Sequence, residues 1–101
     1  MESKKHILLI VRIDVKPEME DEFNRWYNEE HIPNILSVSG VLWAKRGVNT
    51  TGEGPKYIAV YEFENLDVQH TEAFRKAVET EWTRKLQPHF LKRERQIYDL
   101  L

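Results

Sequence analysis

The 101-residue chain contains no cysteine. That excludes a disulfide framework and thiolate chemistry, and it is compatible with a reducing compartment. Long apolar runs are also missing. The longest, Ile7 to Val11, is far too short to cross a bilayer, and Met1-Glu-Ser-Lys-Lys lacks the apolar stretch and cleavage site of a secretory leader. The cytoplasm is the default expectation. Neither charge dominates: 15 Lys and Arg face 17 Asp and Glu, for a formal net charge of −2. Nothing there invites nucleic acid or an anionic membrane as a partner. Glycine and proline number four each, and Gly52 and Gly54 fall in a turn-rich segment, so no phosphate-cradling loop is present. The four histidines lack paired spacing, which makes a poor metal site. Ser37 and Ser39 lack a nucleophile-elbow context.

What remains is an ordinary globular composition, 41% apolar and 32% charged, in a chain that makes one domain over residues 1–101. His6 to Val15 is rich in β-branched residues and reads as a strand with two apolar faces. Ile7, Leu9, Val11, Ile13 and Val15 lie on one face, with Leu8 and Ile10 on the other. Pro17 suits a first helical turn, and Glu18, Glu20, Asp21 and Glu22 favour a helix N-terminus. A helix is expected from about Pro17 to about Glu30. Pro33 biases Ile32 away from helical geometry, which predicts a kink or an end at His31-Ile32 and a short turn over Pro33 to Val38.

Val41 to Asn49 and Lys56 to Glu64 read as strands joined by the Thr50-Thr-Gly-Glu-Gly-Pro55 loop. Asn65 or Asp67 can cap a second helix carrying Phe74, Ala77 and Val78. A further segment spaces Trp82, Leu86 and Phe90 at i, i+4, i+8, with Pro88 ending it. Leu91 to Leu100 reads as a charged last strand. The order β-α-β-β-α-β predicts an α+β, ferredoxin-like domain: a four-stranded antiparallel sheet with two helices on one face. The other face still carries Leu8, Ile10, Ile58 and Val60, or their opposite numbers. The economical cover is a second copy, sheet against sheet, so a homodimer is expected.

The stretch richest in chemistry runs from Glu22 to Leu36. At about 100° per residue Met19, Phe23, Trp26 and Glu30 share one helical face, flanked by Tyr27 and His31. His31 has two readings: a general acid or base titrating near neutrality at a helix C-terminus, or a cap closing the helix. Glu30 either points under the helix as a desolvated carboxylate or, with the helix unwinding, reaches solvent or pairs with Arg46. Trp26, Tyr27, Trp43, Tyr57, Tyr61 and Trp82 are a heavy aromatic load. They are core, or they line a pocket for a flat ligand, with Trp26 and Trp82 facing each other across it. Arg46 can bind a carboxylate or enolate oxygen, or pair with Asp14 or Glu62. The basic residues Arg84-Lys85 and Lys92-Arg93-x-Arg95, interspersed with Glu94, read as a solvated face.

Phe23-x-x-Trp26-Tyr27-x-x-Glu30-His31-x-Pro33, Gly40-Val41 entering the second strand and Arg46 within it together resemble the dimeric α+β barrel superfamily. Within it the chain is most similar to small EthD-like proteins and relatives of unassigned function. The stretch from Thr80 to Phe90 also resembles those relatives. The resemblance implies a dimer whose sheets close into a barrel, with a pocket in each subunit between sheet and helices. Its members include cofactor-free quinone-forming monooxygenases, haem-degrading enzymes, lactone isomerases, aldoxime-type haem enzymes and proteins without proven activity, so the fold does not select the function. The expected function is small-molecule chemistry without a dissociable cofactor on an aromatic or oxygenated apolar ligand. It could be cofactor-independent oxygenase, isomerase or cyclase chemistry. His31 would transfer a proton, Arg46 or a Tyr hydroxyl would stabilise an oxyanion, and Trp26, Tyr27, Glu30, Trp43, Tyr61 and Trp82 would line the ligand site. The alternative is a non-catalytic dimeric binding or accessory protein using the same pocket.

Overall fold

The computed structural model describes residues 5–101; residues 1–4, on which the expectation of no leader partly rests, lie outside the described residues. Four strands, β1 (Ile7–Val15), β2 (Val41–Val48), β3 (Tyr57–Phe63) and β4 (Phe90–Asp99), form one sheet. Its order is β2-β3-β1-β4 and every pairing is antiparallel. Helical segments α1 (Glu20–Trp26), α2 (Ile32–Leu36), α3 (Glu72–Val78) and α4 (Glu81–Leu86) complete the ferredoxin-like α+β fold. Among the described residues no helix is long and apolar enough to cross a membrane.

The period-two pattern decides which face is buried. Ile7, Leu9, Val11, Ile13 and Val15 of β1 are buried, as are Tyr57, Ala59, Tyr61 and Phe63 of β3, and the helices pack on this side. Each alternate residue, Leu8 and Ile10 on β1 or Ile58 and Val60 on β3, is half-buried on the opposite, open face.

The first helical stretch departs from expectation. Of the kink or end expected at His31-Ile32 there is no end: the stretch widens over Tyr27–His31 and runs on as helix through Pro33 to Leu36, where a separate turn was expected. The intervening residues, Tyr27 to His31, form a wide π turn in which the Ile32 N–H donates to the Tyr27 carbonyl, five residues back. In a regular α-helix the Pro33 ring would collide with the carbonyl four residues earlier, and widening the turn relieves that clash without breaking the helix.

The second helical region is split at Glu79-Thr80. Asn65 caps only a short 3-10 turn over Leu66–His70; Thr71 caps α3 and Thr80 caps α4, each through its side-chain oxygen. At the entry to β2, Gly40 has φ +95°, and a Cβ there would lie 2.5 Å from Val68 Cγ2. Only glycine fits that approach.

Candidate functional site

Between the covered face of the sheet and the helices lies a cavity of about 310 Å³. Its floor is Leu9, Val11, Ile13 and Tyr61 from the sheet; Trp26, Tyr27, His31 and Ile35 descend on it from the first helical stretch. Phe74, Val78, Thr83 and Phe90 close further sides. The size falls at the lower end of small-ligand sites and far exceeds that needed for one water.

The π turn sets the site's composition. With bonds reaching five residues back, Trp26 stacks on His31 rather than aligning with Glu30: the ring centroids are 4.3 Å apart and the planes 26° from parallel. Tyr27 meets the same imidazole edge-on at 5.0 Å. Histidine thereby takes the place on the sheet side that a regular helix would give to glutamate. Glu30 turns toward α4, where its carboxylate accepts from Thr80 Oγ1 at 2.7 Å. It neither lines the cavity nor pairs with Arg46.

That contact ends a polarised chain. The Trp26 indole N–H donates to Thr83 Oγ1 at 3.1 Å, and Thr83 and Thr80 Oγ1 lie 3.0 Å apart. Because Thr80 gives its one hydroxyl proton to Glu30, the Thr83 hydroxyl donates to Thr80. The chain satisfies the buried indole and ties the π turn to α4.

His31 is not the near-neutral titrating group expected of a helix terminus. Burial first, then the charges of Arg93 and Arg46, lower its pKa from the ordinary 6.5 to about 4. The helix continues past it, so no terminal dipole offsets burial, and the ring is neutral at physiological pH. Its Nδ1 is buried without a hydrogen-bond partner among the described residues. Burial likewise raises the pKa of Tyr27 and Tyr61, leaving both as neutral phenols, with the Tyr61 hydroxyl positioned to donate to Tyr27.

Three further expected residues stand elsewhere. Arg46 lies behind Tyr27, not in the cavity: its guanidinium carbon sits 4.4 Å from the Tyr27 ring centroid. Its Nη1 and Nη2 donate to Asn28 Oδ1 and Asn24 Oδ1 at 2.9 and 2.8 Å, so its partners are amides rather than Asp14 or Glu62. Trp43 is on the open face, because a bulge between Val41 and Trp43 pairs it with Glu62, whose carboxylate accepts the indole N–H at 2.8 Å. Trp82 lies outside the cavity under Arg25, whose guanidinium carbon is 5.7 Å from the ring centroid. Thr83, one residue on, faces Trp26 instead.

Thr83, Arg84, Arg93 and Arg95 are among the lining residues that the sequence pattern did not assign to the site. The strand alternation carried a signal for the two β4 arginines. The register pairs Arg93 with Ile13 and Arg95 with Val11, both on the covered face.

No curated protein matches the chain by sequence. Solved structures do match over nearly its whole length, at identities that speak to fold alone. One is a candidate antibiotic biosynthesis monooxygenase from Bordetella bronchiseptica, with 22% identity, TM-score 0.74, and coverage of 97% of this chain and 99% of that one. Another is a dimeric ferredoxin-like protein from an uncultured marine organism, with 16% identity, TM-score 0.73, and coverage of 97% and 90%. A third, a dimeric protein of unknown function from Bacteroides fragilis, has 17% identity, TM-score 0.65, and coverage of 98% and 100%. A family model described as a domain of unknown function, DUF4286, matches residues 6–98, and the chain belongs to that family.

Proposed function

We propose that this protein binds a small, ring-bearing organic molecule in the cavity between sheet and helices, and that His31 accepts a proton from it. The observation that carries the reading is a neutral, hydrogen-bond-unpaired imidazole in the wall of an aromatic cavity of about 310 Å³. A ligand carbanion or phenolate forming beside the ring would stabilise the imidazolium, offsetting the burial and cationic repulsion that depress it in the empty site. Tyr27, held as a neutral phenol and accepting from Tyr61, keeps its own hydroxyl proton as the hydrogen-bond donor for the developing oxyanion. Isomerase, cyclase or cofactor-independent oxygenase chemistry can each begin from such a proton transfer. Similarity in fold to a candidate monooxygenase is in keeping with this class without selecting among them.

The functional unit in this reading is a homodimer formed through the open sheet face, where Leu8, Ile10, Ile58 and Val60 make an apolar centre. Trp43, Glu62 and Tyr98 lie toward its edges. Two of the similar structures are of dimeric proteins, which supports the same arrangement.

One observation favours a second reading, in which the cavity binds without catalysing. A conjugate acid with pKa about 4 makes His31 a weak base in the empty site, and Arg46 does not reach the cavity. Deuterium exchange separates the two. 2-Tetralone, an enolisable ring ketone, is incubated with the protein in D2O and its α-protons are followed by NMR, with binding followed by tryptophan fluorescence. Catalysis predicts accelerated exchange that falls by roughly 100-fold or more in His31→Gln, with affinity nearly unchanged. Binding without accelerated exchange leaves the non-catalytic reading, and no binding overturns both.

A further inference from the structure

The mouth of the cavity is more basic than its chain. Arg93 and Arg95 project from β4 on the covered face, and Arg84 approaches from α4; all three line the cavity and are exposed at its rim. Among the described residues neither the Arg84 nor the Arg93 guanidinium has a hydrogen-bond or ion-pair partner, and Arg95 donates to the neutral Oε1 of Gln69. Glu79 is the only acid in the lining, and its carboxylate accepts from Arg75 Nη1 at 2.9 Å. Glu94, between the two β4 arginines, is directed to the other face by the strand alternation and pairs with Lys92 at 3.3 Å.

Three guanidiniums thus line one cavity mouth, none of them paired with a carboxylate, in a protein whose net charge is −2. An arginine kept only for solubility gains nothing from a like-charged neighbour two residues along the same strand face. The crowding is felt inside: Arg93 lowers the pKa of both His31 and Arg95.

We propose that the cavity takes an amphipathic organic anion. Its apolar ring system lies between Trp26, Tyr61 and Phe90, and a carboxylate or comparable oxyanion is seated on Arg93 and Arg95, with Arg84 completing the rim. This rests on the ligand-pocket reading above and adds the substrate class to it. The planar fork of arginine suits the two-oxygen face of a carboxylate. Seating the anion there would also offset the Arg93 charge that, after burial, disfavours protonation of His31.

Two dyes with one chromophore test this: 8-anilinonaphthalene-1-sulfonate and the neutral N-phenyl-1-naphthylamine, titrated by fluorescence against the full chain. The anion is expected to bind at least about tenfold more tightly, a preference that shrinks as salt rises from about 0.05 to about 0.5 M. In the double variant Arg93→Gln/Arg95→Gln the two dyes should bind within about threefold of each other, while the neutral dye keeps its wild-type affinity. Val78→Trp, which fills the cavity, should abolish binding of both. Equal affinities in the wild type, or a preference surviving the double variant, would overturn the anion inference and leave the pocket reading standing. An arginine-dependent preference persisting in Val78→Trp would place the anion outside the cavity and overturn it as well. Failure of both dyes to bind would remove the pocket reading and the inference together.

Discussion

Leu9 and Ile10 are neighbours in the chain and face opposite sides of one sheet. Leu9, at 3% exposure, lies under the helices in the wall of the cavity. Ile10, paired with Val60 on β3, is half-buried on a face that no part of the described chain covers. Both faces of β1 and β3 are apolar at their centres, yet only one is used within the subunit. The covered face converts apolar area into fold stability and, where the helices stand off the sheet, into a cavity. The open face holds similar area in reserve for association, because apolar surface left against water favours whatever removes it.

Substitutions on the two faces should therefore fail differently. Ile7→Ala, on the covered face at 1% exposure, is expected to cost about 2–5 kcal/mol of folding stability. Urea denaturation checks this, and the loss should not vary with protein concentration; a cost below about 0.5 kcal/mol would deny that this face is the packed core.

Acid should act through the covered face as well. His31 has a folded pKa of about 4 against an ordinary 6.5, so between these values the unfolded chain binds the extra proton and the folded chain does not. The contribution is fully present above about 6.5 and is lost progressively as pH falls toward 4. A difference of that size corresponds to roughly 3 kcal/mol. Urea denaturation at pH 7, 6, 5 and 4.5 should show this slope in the wild type and a shallower one in His31→Gln. Equal slopes would mean that His31 is not buried as described.

Ile10→Lys sharpens the other side of the comparison. Placing a charge in the centre of the open face should weaken homodimerisation by at least about 100-fold, a loss near 2.7 kcal/mol, because an unpaired ammonium would have to be buried. The fold of the separated subunit should change by no more than about 0.5 kcal/mol, since the position is peripheral to its core. Sedimentation velocity reads the first and denaturation at low concentration reads the second. A wild type that sediments as a monomer at micromolar concentration would remove the homodimer.

Much of this was legible in the residues. Strict alternation in β1 and β3 announced two apolar faces, and the order of elements announced the ferredoxin-like sheet. Phe23, Trp26, Tyr27 and Tyr61 are buried where their pattern placed them. The family that matches is DUF4286, where the resemblance pointed to small EthD-like proteins. Other site assignments depended on angles that spacing alone does not fix. Trp43 was carried to the open face by a bulge, and Trp82 was displaced from the cavity by a helix that starts afresh at Thr80. Arg93 and Arg95 look like surface charge by composition; their alternation along β4 puts them on one face, and the pairing with β1 shows that this face borders the cavity.

By itself, then, the amino-acid pattern determined the sheet, its two apolar faces and the importance of the stretch from Glu22 to Leu36. The tertiary structure decided where Glu30 goes and in which protonation state His31 meets the cavity. Helical periodicity favoured Glu30, but Pro33 can neither donate a hydrogen bond nor tolerate the carbonyl one α-turn behind it. The π turn that accommodates this proline advances the register by one residue and sets His31 against Trp26. A one-residue change in hydrogen-bond span, invisible in composition, turned the Glu30 carboxylate toward α4 and set the His31 imidazole, already the expected proton-transfer residue, against Trp26.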